Sequence, residues 1–185
     1  MANLPLENLV LITGGARSGK SDLAQKLAVA SGAVVYVLAT MPVIEEDAEL
    51  MDRIGRHRNR RPQEFRTIEE TVALEKAITA IKEKGPLVLL DCLSLFVSNL
   101  MQDHQDENED WLAARIEDLL DCMAGRPETR FIVVTNEVGW SVVPDNRLAR
   151  QFRDWLGTAN KLIAQRAGTV YLCVSGIPVA LKEGV

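Results

Sequence analysis

A glycine-rich turn at residues 14–21 restricts this chain to very few folds. The turn follows an apolar run typical of a buried strand, Leu9 to Thr13, and precedes a segment rich in helix-forming residues. Its residues are Gly14, Gly15, Ala16, Arg17, Ser18, Gly19, Lys20 and Ser21. This order of strand, G-x-x-x-x-G-K-[ST] loop and helix is typical of a phosphate-binding loop.

Each residue type suits that chemistry. Glycines let successive backbone N–H groups turn inward around a phosphate, and Lys20 can reach the β- and γ-phosphates of a nucleoside triphosphate. The Ser21 hydroxyl can bind Mg²⁺. A glycine-rich turn without a ligand is the alternative interpretation, but the setting favours nucleotide binding.

Composition is compatible with one globular domain. The chain has 185 residues, of which 47% are apolar and 25% charged, and its net charge of −5 gives no general attraction to nucleic acid or anionic membranes. We expect residues 1–185 to form a single P-loop nucleotide-binding domain. No signal peptide and no apolar run near the ~20 residues of a membrane span is evident, so we expect a soluble, cytoplasmic protein.

Short apolar runs alternate with helix-length segments, which predicts an α/β fold with a mostly parallel sheet covered by helices. The predicted strands are Asn8–Thr13, Ala33–Ala39, Leu87–Leu90, Phe131–Thr135 and Thr169–Val174. The predicted helices are Ser21–Ser31, Thr67–Lys84, Trp111–Met123 and one that Asp145 or Asn146 caps, with an apolar stripe from Leu148 to Ile163. The three cysteines have no metal-ligand spacing and are predicted to be reduced, buried thiols.

Asp91 is the candidate for a second metal ligand. It ends the buried run Leu87–Leu90, and an acid at that end of a strand can hold Mg²⁺ directly or through water. An aspartate there can instead cap a turn. The phosphate loop upstream favours the metal interpretation.

Residues 53–62 form a basic segment with five arginines around His57. A solvated basic face, contact with nucleic acid and a polyphosphate site all remain open from the residues alone. Neutral imidazole can attack phosphorus to form a covalent intermediate. The other histidine, His104, lies in an acidic stretch and is predicted to be an exposed bystander.

The segment 136–146 follows the strand Phe131–Thr135. Loops at the carboxyl ends of parallel strands form ligand sites in open α/β folds. Its polar start, Gly139 and Trp140 suit substrate binding, and they suit a turn with an interface anchor equally well.

Together these motifs resemble one family over nearly the whole chain, the bifunctional adenosylcobinamide kinase / adenosylcobinamide-phosphate guanylyltransferase family of cobalamin biosynthesis. The resemblance rests on the loop Gly14–Ser21, on Arg56-His57-Arg58 with Arg61-Pro62, on Asp91-Cys92-Leu93-Ser94-Leu95 with Asn99-Leu100, on Thr135 to Gly139 with Val143-Pro144, on Asn146 to Asp154 with Gly157 and Asn160, and on Val174-Ser175-Gly176.

The resemblance implies a RecA-like P-loop domain that assembles as a homotrimer. It also implies phosphorylation of adenosylcobinamide by ATP or GTP, and then transfer of GMP from GTP to adenosylcobinamide phosphate through a guanylyl-histidine, with Mg²⁺ and no nucleic-acid partner. His57 and Lys20 are the implied catalytic residues, and Ser21 and Asp91 the implied metal ligands. The implied nucleotide contacts are the phosphate loop, Thr40, Met41, Pro42, Arg58, Asn59, Arg60, Glu69 and Asp91.

Three other functions are alternatives to this one. Another small-molecule P-loop kinase would keep Lys20, Ser21 and Asp91 but give His57 no covalent role. A GTP-dependent switch needs N-K-x-D, and Asn160-Lys161 is followed by Leu162-Ile163, so that motif is missing. A nucleic-acid-dependent ATPase would show salt-sensitive binding, which the acidic net charge disfavours.

Overall fold

The computed structural model describes residues 5–42, 55 and 61–183, whose strands form one sheet. The strands are β1 (Leu6–Gly14), β2 (Val35–Ala39), β3 (Arg66–Glu69), β4 (Leu87–Asp91), β5 (Arg130–Val134), β6 (Ala167–Val174) and β7 (Ile177–Lys182). The helices of the described part are α1 (Lys20–Ala30), α2 (Leu74–Ala80), α3 (Leu93–Asp103), α4 (Glu109–Ala124) and α5 (Arg147–Arg166).

The sheet has the order β3-β2-β4-β5-β1-β6-β7. All neighbours pair in parallel except β6 and β7, which form an antiparallel hairpin at one edge. The strand that leads into the phosphate loop is therefore separated by β5 from β4, the strand that ends at Asp91. The predicted α/β class with a mostly parallel, helix-covered sheet is confirmed.

Helices cover both faces of the sheet, so the strands are apolar on both sides. On one face the core contains Leu9 and Leu11 of β1 together with residues of α2, α3, α4 and α5. On the other face Ile12 of β1 packs with Ala24 and Ala28 of α1. This two-sided burial explains why the strands read as continuous apolar runs rather than as alternating ones.

Helix α5 largely follows its predicted stripe. Asn146 caps it, since its side-chain oxygen accepts a hydrogen bond of 2.7 Å from Ala149 N. Trp155, Leu156, Ala159 and Ile163 are buried, and Phe152 and Leu162 pack against the core. Leu148, predicted to belong to the stripe, is 66% exposed, because it lies in the first turn, before the helix meets the core.

The predicted helix Thr67–Lys84 is wrong at both ends. Residues 66–69 form the edge strand β3, which pairs in parallel with β2, and helix α2 is confined to Leu74–Ala80. Between them Glu70 accepts hydrogen bonds from Val72 N and Ala73 N. The β-branched residues Thr67 and Ile68 suit a strand, and the edge of the sheet supplies their backbone partners.

The thiols are less buried than predicted. All three cysteines are free, and Cys173 is buried, but Cys92 and Cys122 are partly exposed. No helix in the described ranges is long and apolar enough to cross a membrane. The prediction of one domain over residues 1–185 extends beyond the described ranges and stays a prediction.

Two leucines of α5 offer a matched test of this packing. Leu156 is fully buried and Leu148 is largely exposed. We expect Leu156→Ala to lower the free energy of unfolding by about 2–5 kcal/mol, because it leaves a core cavity. We expect Leu148→Ala to change it by no more than about 0.5 kcal/mol. Urea unfolding followed by circular dichroism measures both, and equal midpoints for the two variants would contradict the packing of α5.

Candidate nucleotide site

The parallel strands end side by side at one edge of the sheet, called here the carboxyl edge. The register aligns Glu69 of β3 with Ala39 of β2, and Ala39 with Asp91 of β4. Asp91 aligns with Val134 of β5, which pairs with Ile12 of β1. The phosphate loop, Asp91 and Glu69 therefore share the edge at which open α/β sheets bind ligands.

The loop between β1 and α1 has a backbone that requires glycine at two positions. The angle φ is +145° at Gly14 and +94° at Gly19, both in the range that glycine adopts most readily. Ser18 N donates to Gly15 O at 3.3 Å and closes a turn within the loop. Helix α1 begins directly after the loop at Lys20, so its free N–H groups face the loop.

The loop also rests on the turn between β6 and β7. A Cβ atom at Gly14 would lie 2.4 Å from the carbonyl oxygen of Cys173, and one at Gly19 would lie 3.1 Å from Gly176 Cα. Gly176 N donates a hydrogen bond of 3.0 Å to Ser18 O. Backbone on backbone contact of this kind leaves no room for side chains at Gly14.

Lys20 is largely buried at the start of α1. Its Nζ donates to Gly15 O at 2.6 Å, within the loop that it follows. Burial lowers the pKa of Lys20, and the nearby Cys92, Cys173 and Asp91 oppose that shift. Ser18 Oγ is buried and has no hydrogen-bond partner among the described residues. The loop thus holds a poorly solvated cation and an unsatisfied hydroxyl, both suited to an anionic ligand.

Asp91, at the end of β4, is paired with an arginine from the basic segment. Arg61 Nη2 lies 3.1 Å from Asp91 Oδ2, and the two side chains are only 10% and 17% exposed. Arg61 Nη1 also lies 3.5 Å from Thr67 Oγ1 of β3. The carboxylate is therefore neutralised by Arg61 at the edge that also holds the phosphate loop.

Thr40 ties the ends of β2 and β4 together. Its hydroxyl accepts from Cys92 N at 2.9 Å and donates to Cys92 O at 2.8 Å. Asn99 of α3 donates to Thr40 O at 2.8 Å. Met41 and Pro42 follow Thr40 and are partly exposed at the same edge. The hydrogen bonds of Thr40 thus hold the end of β2 beside the end of β4, where Asp91 lies.

A polar cluster at the end of β5 supports the phosphate loop from the side opposite the turn between β6 and β7. Glu137 Oε1 accepts from Thr13 Oγ1 at 3.0 Å and from Asn160 Nδ2 at 3.2 Å. Glu137 N donates to Gly14 O at 3.1 Å. Asn160 Oδ1 accepts from Thr135 Oγ1 at 2.7 Å, so helix α5 is joined to the same cluster. Glu137 thereby links β1, β5 and α5 directly under the loop.

The segment that follows this cluster is exposed and partly apolar. Trp140 is 75% exposed and Val142 is 90% exposed, with Val143 also exposed. The sequence left open whether this segment binds substrate or anchors an interface. Its position at the carboxyl edge is compatible with either role.

The structure brings some of the predicted site residues together. The phosphate loop, Thr40, Met41, Pro42, Glu69 and Asp91 lie at the carboxyl edge, with Ala16, Arg17 and Glu69 exposed there. His57, Arg58, Asn59 and Arg60 lie outside the described residues. His104 is exposed, as predicted, and its ring centroid lies 4.5 Å from that of Trp111.

The oxygen donors at this edge fit Mg²⁺ bound together with a nucleotide. Ser21 lies in the first turn of α1 and supplies a hydroxyl, and Asp91 supplies a carboxylate. Within the described ranges, no three or more His, Cys, Asp or Glu residues are grouped so that they could hold a metal. Magnesium is usually bound through one or two carboxylates with substrate phosphates and water, so it needs no closed protein cage.

Fold and site together define a nucleotide-binding domain of the RecA-like P-loop class. An ATPase from the type III secretion system of pathogenic bacteria matches with a TM-score of 0.54 at 12% identity, over 93% of this chain and 56% of that one. A structure of a Pyrococcus horikoshii protein matches with a TM-score of 0.58 at 8% identity, over 97% of this chain and 88% of that one. At such identities the likeness concerns the fold alone.

The chain belongs to the cobinamide kinase / cobinamide phosphate guanyltransferase family, whose model matches residues 10–181. A bifunctional adenosylcobalamin biosynthesis protein of Pseudomonas aeruginosa is 41% identical, over 93% of this chain and 96% of that protein. Proteins of the same description from Escherichia coli and Salmonella typhimurium are 38% and 39% identical, each over 94% of this chain and 99% of the relative. The predicted family and its bifunctional kinase and guanylyltransferase activity are confirmed.

Sequence reasoning missed Arg61, Glu137 and Asn160 as parts of the site. Arg61 is one of five arginines in the basic segment and part of the Arg61-Pro62 pair behind the resemblance, and no local pattern indicates that its partner is Asp91. Glu137 belongs to the polar start of the segment after β5, and that polarity is a sequence signal that could have identified it as a site residue. Asn160 lies in the middle of a long helix, and only its position in the fold explains its contacts.

Two neighbouring glycines test the loop geometry. A methyl group at Gly14 would meet the Cys173 carbonyl, whereas one at Gly15 would have no atom within 4 Å. We expect Gly14→Ala to lower the free energy of unfolding by about 1–3 kcal/mol, and to weaken nucleotide binding, because the loop must shift. We expect Gly15→Ala to stay within about 0.5 kcal/mol of the wild type in stability. Urea melts and titration with a fluorescent GTP analogue measure both, and a fully stable Gly14→Ala would contradict the close approach to β6.

Proposed function

We propose that this chain carries out both reactions at the carboxyl edge. In the first, the aminopropanol hydroxyl of adenosylcobinamide attacks the γ-phosphorus of ATP or GTP, and the nucleoside diphosphate leaves with the bridging oxygen. In the second, GMP is transferred from GTP to the new phosphate, with loss of pyrophosphate, to give adenosyl-GDP-cobinamide. The observation that carries the proposal is the buried Lys20 in its glycine loop beside Asp91.

Positioning and charge neutralisation would supply most of the rate. The backbone N–H groups of residues 14–21 would bind the phosphates, and Lys20 would release Gly15 O to contact the β- and γ-phosphates. Glu137 would keep the loop in place through Thr13 and the carbonyl of Gly14. Thr40, Met41, Pro42 and Glu69 are proposed nucleotide contacts because they lie at the same edge.

Ser21 and Asp91 would hold Mg²⁺ when a nucleotide is bound. The ion supplies neutralisation of the charge that develops on the phosphate oxygens during transfer. Ser21 and Asp91 would fix the position of the ion's charge in the site. Arg58, Asn59 and Arg60 are proposed as further phosphate contacts on the family resemblance.

His57 is the proposed nucleophile of the guanylyl transfer. Its imidazole nitrogen would attack the α-phosphorus of GTP, release pyrophosphate, and then yield GMP to adenosylcobinamide phosphate. The chain has only two histidines. His104 follows α3, whose 11 residues extend about 16 Å away from the end of β4, and it packs on Trp111. The family resemblance supports His57, because it matches the histidine of the family's basic segment.

We expect wild-type protein incubated with Mg²⁺ and α-labelled GTP to retain label after denaturation, and His57→Ala to retain none. The label should survive alkali and be lost in acid, as a phosphoramidate is. His104→Ala is the matched control and should label like the wild type. Phosphorylation of adenosylcobinamide should persist in His57→Ala.

An unlabelled wild type would reduce the proposal to a kinase without a covalent intermediate. Label that persists in His57→Ala would place the nucleophile elsewhere. Both results leave the kinase reaction open to a separate assay with γ-labelled ATP.

We also propose that the chain assembles as the homotrimer that the family resemblance implies, in the cytoplasm, where its nucleotide substrates occur. The support is strand β7, whose residues Ile177, Val179 and Leu181 lie on one face and are exposed. An apolar face on an edge strand is unusual for an isolated domain, because it invites pairing.

Val179→Lys should shift the chain toward monomer, because it places a charge in the middle of that face. Val29→Lys, at an exposed valine of α1, is the matched control and should leave the oligomeric state unchanged. Sedimentation velocity over a range of concentrations distinguishes the species. An unchanged Val179→Lys assembly would exclude β7 from the subunit contact.

A further inference from the structure

The ion pair between Arg61 and Asp91 occupies the carboxylate that the proposed function assigns to Mg²⁺. Arg61 Nη2 lies 3.1 Å from Asp91 Oδ2, and both side chains are more than four-fifths buried. The guanidinium is also held at Thr67 Oγ1. Arg61 reaches Asp91 from the segment before β3, across the end of β2.

This pair differs from the other ion pairs of the described residues in its neighbours. Asp91 ends β4 at the carboxyl edge, the edge at which β1 leads into the phosphate loop. Arg61 therefore neutralises a carboxylate at the same edge as the phosphate loop. By contrast, Arg115 and Glu75, which lie 2.9 Å apart, join helices α4 and α2 and not two strand ends.

A divalent cation on Asp91 would bring two more positive charges next to Arg61. Like charges a few ångströms apart repel strongly in a poorly solvated site, and far less in water. The carboxylate would then have to divide its oxygens between a metal and a guanidinium. A nucleoside triphosphate relieves this conflict, because its phosphates offer guanidinium groups a new partner.

We propose that Arg61 is a positioning residue that competes with the divalent cation for Asp91 and is displaced when metal and nucleotide bind together. In the absence of nucleotide, Arg61 neutralises the buried carboxylate and keeps metal affinity low. With nucleotide bound, its guanidinium leaves Asp91 for the phosphates. This inference rests on the proposed role of Asp91 as a metal ligand.

The test measures metal affinity directly, with Mn²⁺ as the probe and electron paramagnetic resonance as the readout. Free Mn²⁺ is titrated into wild type, Arg61→Met, Arg61→Lys, Asp91→Asn and the control Arg115→Met. Each titration is run without nucleotide and with a saturating GTP analogue that has a β,γ-imido bridge. Circular dichroism confirms that each variant is folded.

Without nucleotide, Arg61→Met should bind Mn²⁺ about tenfold more tightly than wild type, because the competing cation is gone. Arg61→Lys should lie between the two, since it keeps the charge but loses the forked contact. With the analogue bound, the Mn²⁺ affinities of Arg61→Met and wild type should differ by less than about threefold. Arg115→Met should match the wild type in both conditions.

Equal or weaker Mn²⁺ binding by nucleotide-free Arg61→Met would overturn the competition. If Arg61→Met does not fold, Arg61→Lys is the variant that tests the competition. A Mn²⁺ affinity of nucleotide-free Arg61→Lys equal to that of the wild type would then overturn it. Asp91→Asn separates this inference from the proposed function. If Asp91→Asn binds Mn²⁺ as tightly as wild type with the analogue present, Asp91 is not the metal ligand, and the assignment beneath the inference fails.

Discussion

Parallel pairing of neighbouring strands is the constraint on which the rest of this molecule depends. Because the register is continuous from β3 to β1, groups far apart in the sequence reach the same level at the carboxyl edge. The phosphate loop lies at one position along that edge and Asp91 lies two strands away, with Glu137 following the strand between them. A shift of one residue in any pair would turn these side chains to the other face of the sheet.

Charge is the second organising element, and it is concentrated on few groups. Arg61 pairs with Asp91, Lys20 contacts the phosphate loop, and all three side chains are largely withdrawn from water. Because Asp91 is already paired with Arg61, a ligand that binds Asp91 must replace an existing contact and not merely fill a space. Under the proposed function, part of the binding energy of phosphate and metal would be used to rearrange the protein.

The sequence predicted the parts of this arrangement that are local. The strand, loop and helix around Lys20 follow from glycines and a short motif, and the α/β class follows from alternating segments. The prediction of a helix over strand β3 is wrong because its two β-branched residues, Thr67 and Ile68, are a weak local signal, and pairing with the edge of β2 decides the strand. The pairing of Arg61 with Asp91 joins residues 30 apart and depends on the completed sheet. The role of His57, outside the described residues, stays a prediction from the family resemblance.

The turn between β6 and β7 touches the phosphate loop without offering a side chain to it. Ser175 has a φ of +51° and Gly176 of +86°, and the amide of Gly176 is the group that holds the loop carbonyl of Ser18. The carboxyl-terminal hairpin is therefore a structural wall of the nucleotide site, and what matters there is backbone shape. Removing the last strand would take away a support of the loop, even though every residue of the phosphate-binding motif remained in place.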